Sequence, residues 1–111
     1  MFAVNEKWIV EFCDKLIERK LDITWSCFAQ VSIITKRMLD KMAAAGCFNI
    51  YYGIESGNQD VLNFIEKNTT PKLIKEIVDY THKLNIETRG SFIIGLPSSS
   101  PIKDEQTIKF A

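Results

Sequence analysis

Tyr51-Tyr52-Gly53-Ile54-Glu55-Ser56-Gly57 is the stretch on which the fold turns. Phe48, Ile50, Tyr51 and Tyr52 are aromatic or β-branched and favour a buried, pleated strand. That run ends in a carboxylate, and Gly57-Asn58 stop it before a helical pattern begins. A charge at the end of a buried strand is costly unless something pairs with it. In α/β folds the space outside the carboxyl ends of strands is where ligands sit. Glu55 therefore reads as part of a site.

Upstream, apolar residues at helical spacing (Trp8, Ile9, Phe12, Cys13, Leu16, Ile17) predict a helix over 5–19, followed by a strand over 23–29. Thr35 is the expected N-cap of a second helix bearing Met38, Leu39 and Met42, and Gly46 its terminating residue. The central strand is expected over 47–54. Downstream, Val61, Leu62 and Ile65 mark a short helix. Thr70-Pro71 opens a longer one, an N-cap with proline at the first helical position. A third strand is expected over 87–95, then the loop Ser98-Ser99-Ser100 and a last helix from Asp104.

Helices and strands in alternation with short connections imply parallel strands joined by right-handed crossovers. Such a sheet is expected to be covered on both faces. Three parallel strands close no barrel, since a full eight-fold barrel needs about 250 residues. The expectation is a piece of a larger α/β domain, cut at both ends. Its exposed sheet edges favour self-association.

Composition narrows the function. In 111 residues, 14 basic and 14 acidic side chains balance, which gives no sign of nucleic acid or an anionic membrane as partner. No apolar run approaches the roughly 20 residues that span a bilayer. Three cysteines without paired spacing form neither a disulfide framework nor a zinc site, so no metal ligand is assigned and a reducing, cytoplasmic setting is expected.

In a parallel layout the strand carboxyl ends share one rim. The expected rim residues are Ser26, Cys27 and Gln30, then Glu55 and Ser56, then Ser91, Gly95 and Pro97. A strand-end carboxylate can accept hydrogen bonds from a ribose diol, and a glycine lets flat ligand atoms approach the backbone. The pattern suggests a nucleoside-like ligand.

Trp25-Ser26-Cys27, Ala45-Gly46-Cys47, Gly53-Ile54-Glu55-Ser56-Gly57 and Phe92-Ile93-Ile94-Gly95-Leu96-Pro97 occur in that order along nearly the whole chain. Together they resemble the radical S-adenosylmethionine superfamily, closest to the branch often linked to an N-terminal cobalamin-binding domain. The resemblance implies a fragment of a (β/α)6 partial TIM barrel. It implies S-adenosylmethionine as small-molecule cofactor, a [4Fe-4S] cluster in the parent protein, and cobalamin as a further candidate there. The parent would cleave S-adenosylmethionine reductively to a 5′-deoxyadenosyl radical, and the fragment alone would be inactive. Family cluster cysteines lie in a C-x3-C-x2-C loop. Cys13, Cys27 and Cys47 fit no such loop, and Met1–Val4 resembles the segment just after the family's second strand.

By the same resemblance Glu55 matches a ribose-contacting position, with Ser56 beside it. Lys67 matches a basic position facing the methionine carboxylate. Ser91 matches a polar ribose contact, and Ile93, Ile94 and Gly95 a segment packing on adenine. No residue is assigned a catalytic role. Gln30 stands where relatives often have arginine, and Ser98-Ser99-Ser100 where they often have Gly-Glu-Thr.

Blander readings stand beside these. Glu55 could simply pair with a neighbouring lysine, and Lys67 could be a solvated residue near a helix end. Cys13 sits in an apolar stripe and reads as core; Cys27 and Cys47 read as buried small side chains, although Cys27 is expected to face the rim. His82 falls in the last turn of a helix, a dipole-pairing position. The rival to an enzyme fragment is a non-enzymatic α/β module that binds a nucleotide or another protein.

Overall fold

The computed structural model describes residues 5–65, 67–96 and 98–111; Met1–Val4 and the expected rim residue Pro97 lie outside them. Eight elements follow in order: α1 (Glu6–Glu18), β1 (Trp25–Ala29), α2 (Lys36–Ala44), β2 (Cys47–Glu55), α3 (Gln59–Phe64), α4 (Pro71–Lys83), β3 (Glu87–Phe92) and α5 (Pro101–Phe110). The strands form one sheet in the order β1-β2-β3, parallel throughout.

Local chemistry sets the helix starts. Asn5, Thr35, Asn58, Thr70 and Ser100 are extended N-caps whose side chains accept a hydrogen bond from the backbone N–H three residues on. Gly46, at φ +95°, stops α2 in the left-handed region, and a Cβ there would lie 2.3 Å from the Ile23 carbonyl oxygen. α5 begins at Pro101, not at Asp104 as expected. Ser100-Pro101 is the same cap-plus-proline signal as Thr70-Pro71, and the polar serine run around it hides the signal.

The core lies on one face of the sheet. Cys27, Ala29, Ile50, Tyr52 and Ile54 pack with Ile9 and Cys13 of α1, Met38, Leu39 and Met42 of α2, and Ile74 and Ile77 of α4. The Tyr52 hydroxyl lies 3.0 Å from that of Thr81, which donates to the Ile77 carbonyl. The Trp25 indole N–H donates to the Ala45 carbonyl at 2.9 Å. The expectation of cover on both faces is not met among the described residues. Strands laid down in one direction by crossovers of one hand put every helix on the same side, as in a barrel wall. The bare face carries Phe28, Tyr51, Gly53, Arg89 and Ser91.

The strand bounds also shift. β1 begins at Trp25 rather than residue 23, and β3 ends at Phe92 rather than Gly95. The ladder between β2 and β3 slips at Gly53/Glu55, after which a single bond runs from Ile93 N–H to the Glu55 carbonyl at 2.8 Å. Because β1 starts later, Ser26 and Cys27 sit at its beginning, and Ala29-Gln30 form its carboxyl end. Cys27 does not face the rim: it is buried on the helix side. No helix among the described residues is long and apolar enough to cross a membrane.

Candidate functional site

Glu55 ends β2 at φ +73°, a left-handed backbone that costs a non-glycine residue about 1–2 kcal/mol. Strain of this kind survives only where its surroundings enforce it, and it clusters at ligand sites. Here it sits at the register slip and accompanies a carboxylate folded back over the bare face. A Cβ at Gly53 would come within 3.3 Å of Glu55 Oε1 and 3.6 Å of Lys67 Nζ. Lys67 Nζ lies 3.4 Å from Glu55 Oε1, and each side chain is 21% exposed. The pair is therefore shielded enough to be held, yet open enough to meet a ligand.

Around it is a cavity of about 230 Å³, bounded by Gln30, Gly53, Glu55, Lys67 and Ser91 at the strand ends and by Phe28, Tyr51 and Arg89 deeper in. A larger cavity of about 550 Å³ lies between α4, β3 and α5, lined by Tyr52, Val78, His82, Phe92 and Phe110. It opens on the helix side of the sheet, where His82 Nε2 is 2.6 Å from the Thr88 hydroxyl. The smaller cavity is the stronger site because two opposite charges and a strained backbone converge on it at the strand carboxyl ends.

The remaining expected residues separate. Ser91 lies in the row of Gly53 and faces the cavity. Ile93 and Ile94 are 46% and 53% exposed beyond the end of β3. Gly95, at φ +79°, has open space where a Cβ would stand. Ser56 goes elsewhere: it is buried, its hydroxyl 3.0 Å from that of Thr107 while accepting the Asn58 N–H at 3.0 Å. Gly57 N–H donates to Thr107 Oγ1 at 3.1 Å, and Phe110 packs so close that a Cβ at Gly57 would lie 2.5 Å from it. This knot docks α5 on the turn after β2. Asp104, in the first turn of α5, accepts from the Gly95 N–H and the Ser99 hydroxyl. Nothing in the serine run signals that Gly95 and Ser99 share Asp104 as acceptor.

The three cysteines are free and buried. Burial pushes the Cys13 thiol up to about 11. Cys27 is raised by donating to Cys47 and by burial. Cys47 is shifted the other way, lowered chiefly by accepting that hydrogen bond from Cys27, but it too is buried, and no group of three metal-ligating side chains occurs among the described residues. These cysteines do not fit an iron–sulfur cluster.

A family profile described as the Radical SAM superfamily matches residues 5–111. An uncharacterised methyltransferase of Pyrococcus horikoshii is 34% identical over 110 residues, covering 99% of this chain and 24% of that protein. The anaerobic magnesium-protoporphyrin IX monomethyl ester cyclase of Rubrivivax gelatinosus is 29% identical over 111 residues, covering 98% of this chain and 20% of that one. The chain thus spans about a quarter of the first relative's length and a fifth of the second's. Among solved structures, the cobalamin-dependent S-adenosylmethionine radical enzyme OxsB superposes with a TM-score of 0.84 at 21% identity, over 97% of this chain and 18% of that one. That likeness establishes the wall-like parallel fold.

Proposed function

The chain belongs to the radical SAM superfamily, and on that premise we propose that its strand-end cavity binds S-adenosylmethionine in an iron–sulfur enzyme. The observation that carries the reading is the Glu55–Lys67 pair held over Gly53. A ribose diol offers two donors to a carboxylate, and an α-carboxylate needs a cation; the cavity supplies both charges side by side. Glu55 would accept the ribose hydroxyls, Lys67 would meet the methionine carboxylate, and Ser91 would add a polar contact. Ile93, Ile94 and Gly95 would offer an apolar, unobstructed ledge to the adenine. Ser56 would serve by docking α5, which keeps the turn after Glu55 in place.

S-adenosylmethionine, once bound, supplies a 5′-deoxyadenosyl radical on one-electron reduction. The chain's own share is to fix the nucleoside between β2 and β3. Because Cys13, Cys27 and Cys47 do not fit a [4Fe-4S] cluster, its ligands would come from outside these 111 residues. By themselves these residues would be inactive. The fold likeness to a cobalamin-dependent enzyme supports cobalamin as a second cofactor. Three free buried thiols support a reducing, cytoplasmic setting, and β1 and β3, the outer strands of the sheet, support self-association of the isolated piece.

The test is anaerobic reconstitution of the full-length protein, followed by dithionite and S-adenosylmethionine. Formation of 5′-deoxyadenosine that falls in Glu55→Gln and Lys67→Met variants is the expected result. A full-length protein carrying its four-iron cluster that leaves S-adenosylmethionine intact would overturn the proposal.

A further inference from the structure

The bare face of the sheet carries a row that the cofactor reading does not use. Phe28, Tyr51 and Arg89 are register partners across β1, β2 and β3. The Phe28 and Tyr51 rings stack with centroids 4.9 Å apart and planes 28° from parallel. The Arg89 guanidinium lies 5.6 Å from the Tyr51 ring centroid. Phe28 is 64% exposed within these 111 residues. Arg89 has no acidic partner among the described residues. All three border the same cavity as Glu55 and Lys67. Each stands two residues before a member of the strand-end group Gln30, Gly53 and Ser91, about 7 Å deeper along the strands.

We propose that this row is the platform for the substrate, a flat conjugated molecule bearing a carboxylate. The inference rests on the radical SAM reading and adds to it the chemistry of the molecule acted upon. Two aromatic side chains side by side give a surface for a planar π-system. A guanidinium at the end of that surface, with no acidic partner among the described residues, selects an anion over a cation of the same shape, and its fork matches a carboxylate. Because the row lines the Glu55–Lys67 cavity, such a molecule would share that cavity with the nucleoside.

The probe is 2-naphthoate, titrated by calorimetry into the full-length protein with S-adenosylmethionine present, beside 2-naphthylmethylammonium as the cationic match. The expected result is binding of the naphthoate alone. Arg89→Gln should weaken it by about tenfold or more, Arg89→Lys by less, and Tyr51→Leu or Phe28→Ala several-fold. Arg89 is exposed, so its substitution leaves the fold intact. Equal binding of both probes, no binding of the naphthoate, or naphthoate affinity unchanged in Arg89→Gln would each overturn the platform. Failure of the cofactor reading shows separately, as unaltered S-adenosylmethionine affinity in Glu55→Gln.

Discussion

Glu55 Oε1 lies 3.4 Å from Lys67 Nζ, and both atoms lie over Gly53, 3.3 Å and 3.6 Å from where a Cβ there would stand. The pair joins the end of β2 to the segment after α3, so one contact fixes the shape of the turn and the charge pattern of the cavity. Partial burial strengthens the attraction between the two charges but also costs desolvation, so the pair reports local geometry rather than added stability. Its larger consequence is to hold the two charges that we propose meet the ligand in a partly shielded position.

The left-handed backbone at residue 55 sets stability against binding. Replacing Glu55 by glycine removes the steric cost of φ +73°, whereas alanine retains it. Glu55→Gly should therefore be more stable than Glu55→Ala by about 1 kcal/mol, with both deficient in S-adenosylmethionine binding. Urea melts of the two variants check this.

Gly53→Ala tests the cradle. A methyl group 3.3 Å from the carboxylate oxygen nudges Glu55 aside, while at 3.6 Å it only touches the ammonium, and the sheet stays intact. Thermal stability should change little, and S-adenosylmethionine affinity should drop several-fold in a calorimetric titration.

Ser56→Ala separates docking from ligand contact. The substitution leaves the Asn58 N–H without its acceptor and the Thr107 hydroxyl without one partner. A cost of about 1–3 kcal/mol is expected, with α5 the first element to lose hydrogen-exchange protection. Cofactor affinity should stay near that of the unaltered protein.

Alkaline pH should weaken the fold through Cys13. Its thiol is raised from 9.0 to about 11 by burial. The unfolded chain gives up that proton at the lower value while the folded chain holds it to the higher. Stability from this group is intact below pH 9.0 and is lost as pH rises toward about 11. Denaturation midpoints at pH 7.5 and 10 measure the loss, and Cys13→Ala should reduce it.

How much of this was legible depended on whether the signal was local. The caps at Thr35 and Thr70, the stop at Gly46 and the apolar stripe of α4 follow from short-range chemistry and stand as expected, whereas the α1 stripe buries Ile9 and Cys13 but leaves Trp8 and Ile17 exposed at its edges. Glu55 and Lys67 were each readable as site candidates, and so was a lysine partner for Glu55; that the lysine is Lys67 depends on the positive φ and on the space above Gly53. Ser56 looked like a rim residue because it follows Glu55. Its real partner, Thr107, is 51 positions away, and no periodicity links the two. The bare face escaped notice for a related reason. The exposed and half-buried residues of the sheet include Phe28 and Tyr51, which composition assigns to a core.

The central claim is that Glu55 holds S-adenosylmethionine, and calorimetric titration of the cofactor into full-length protein and its Glu55→Gln variant tests it most directly. Losing a charge-assisted bond to the ribose should weaken binding by about 1.5–3 kcal/mol, or roughly ten- to a hundred-fold. Equal affinity in the two proteins would contradict the account.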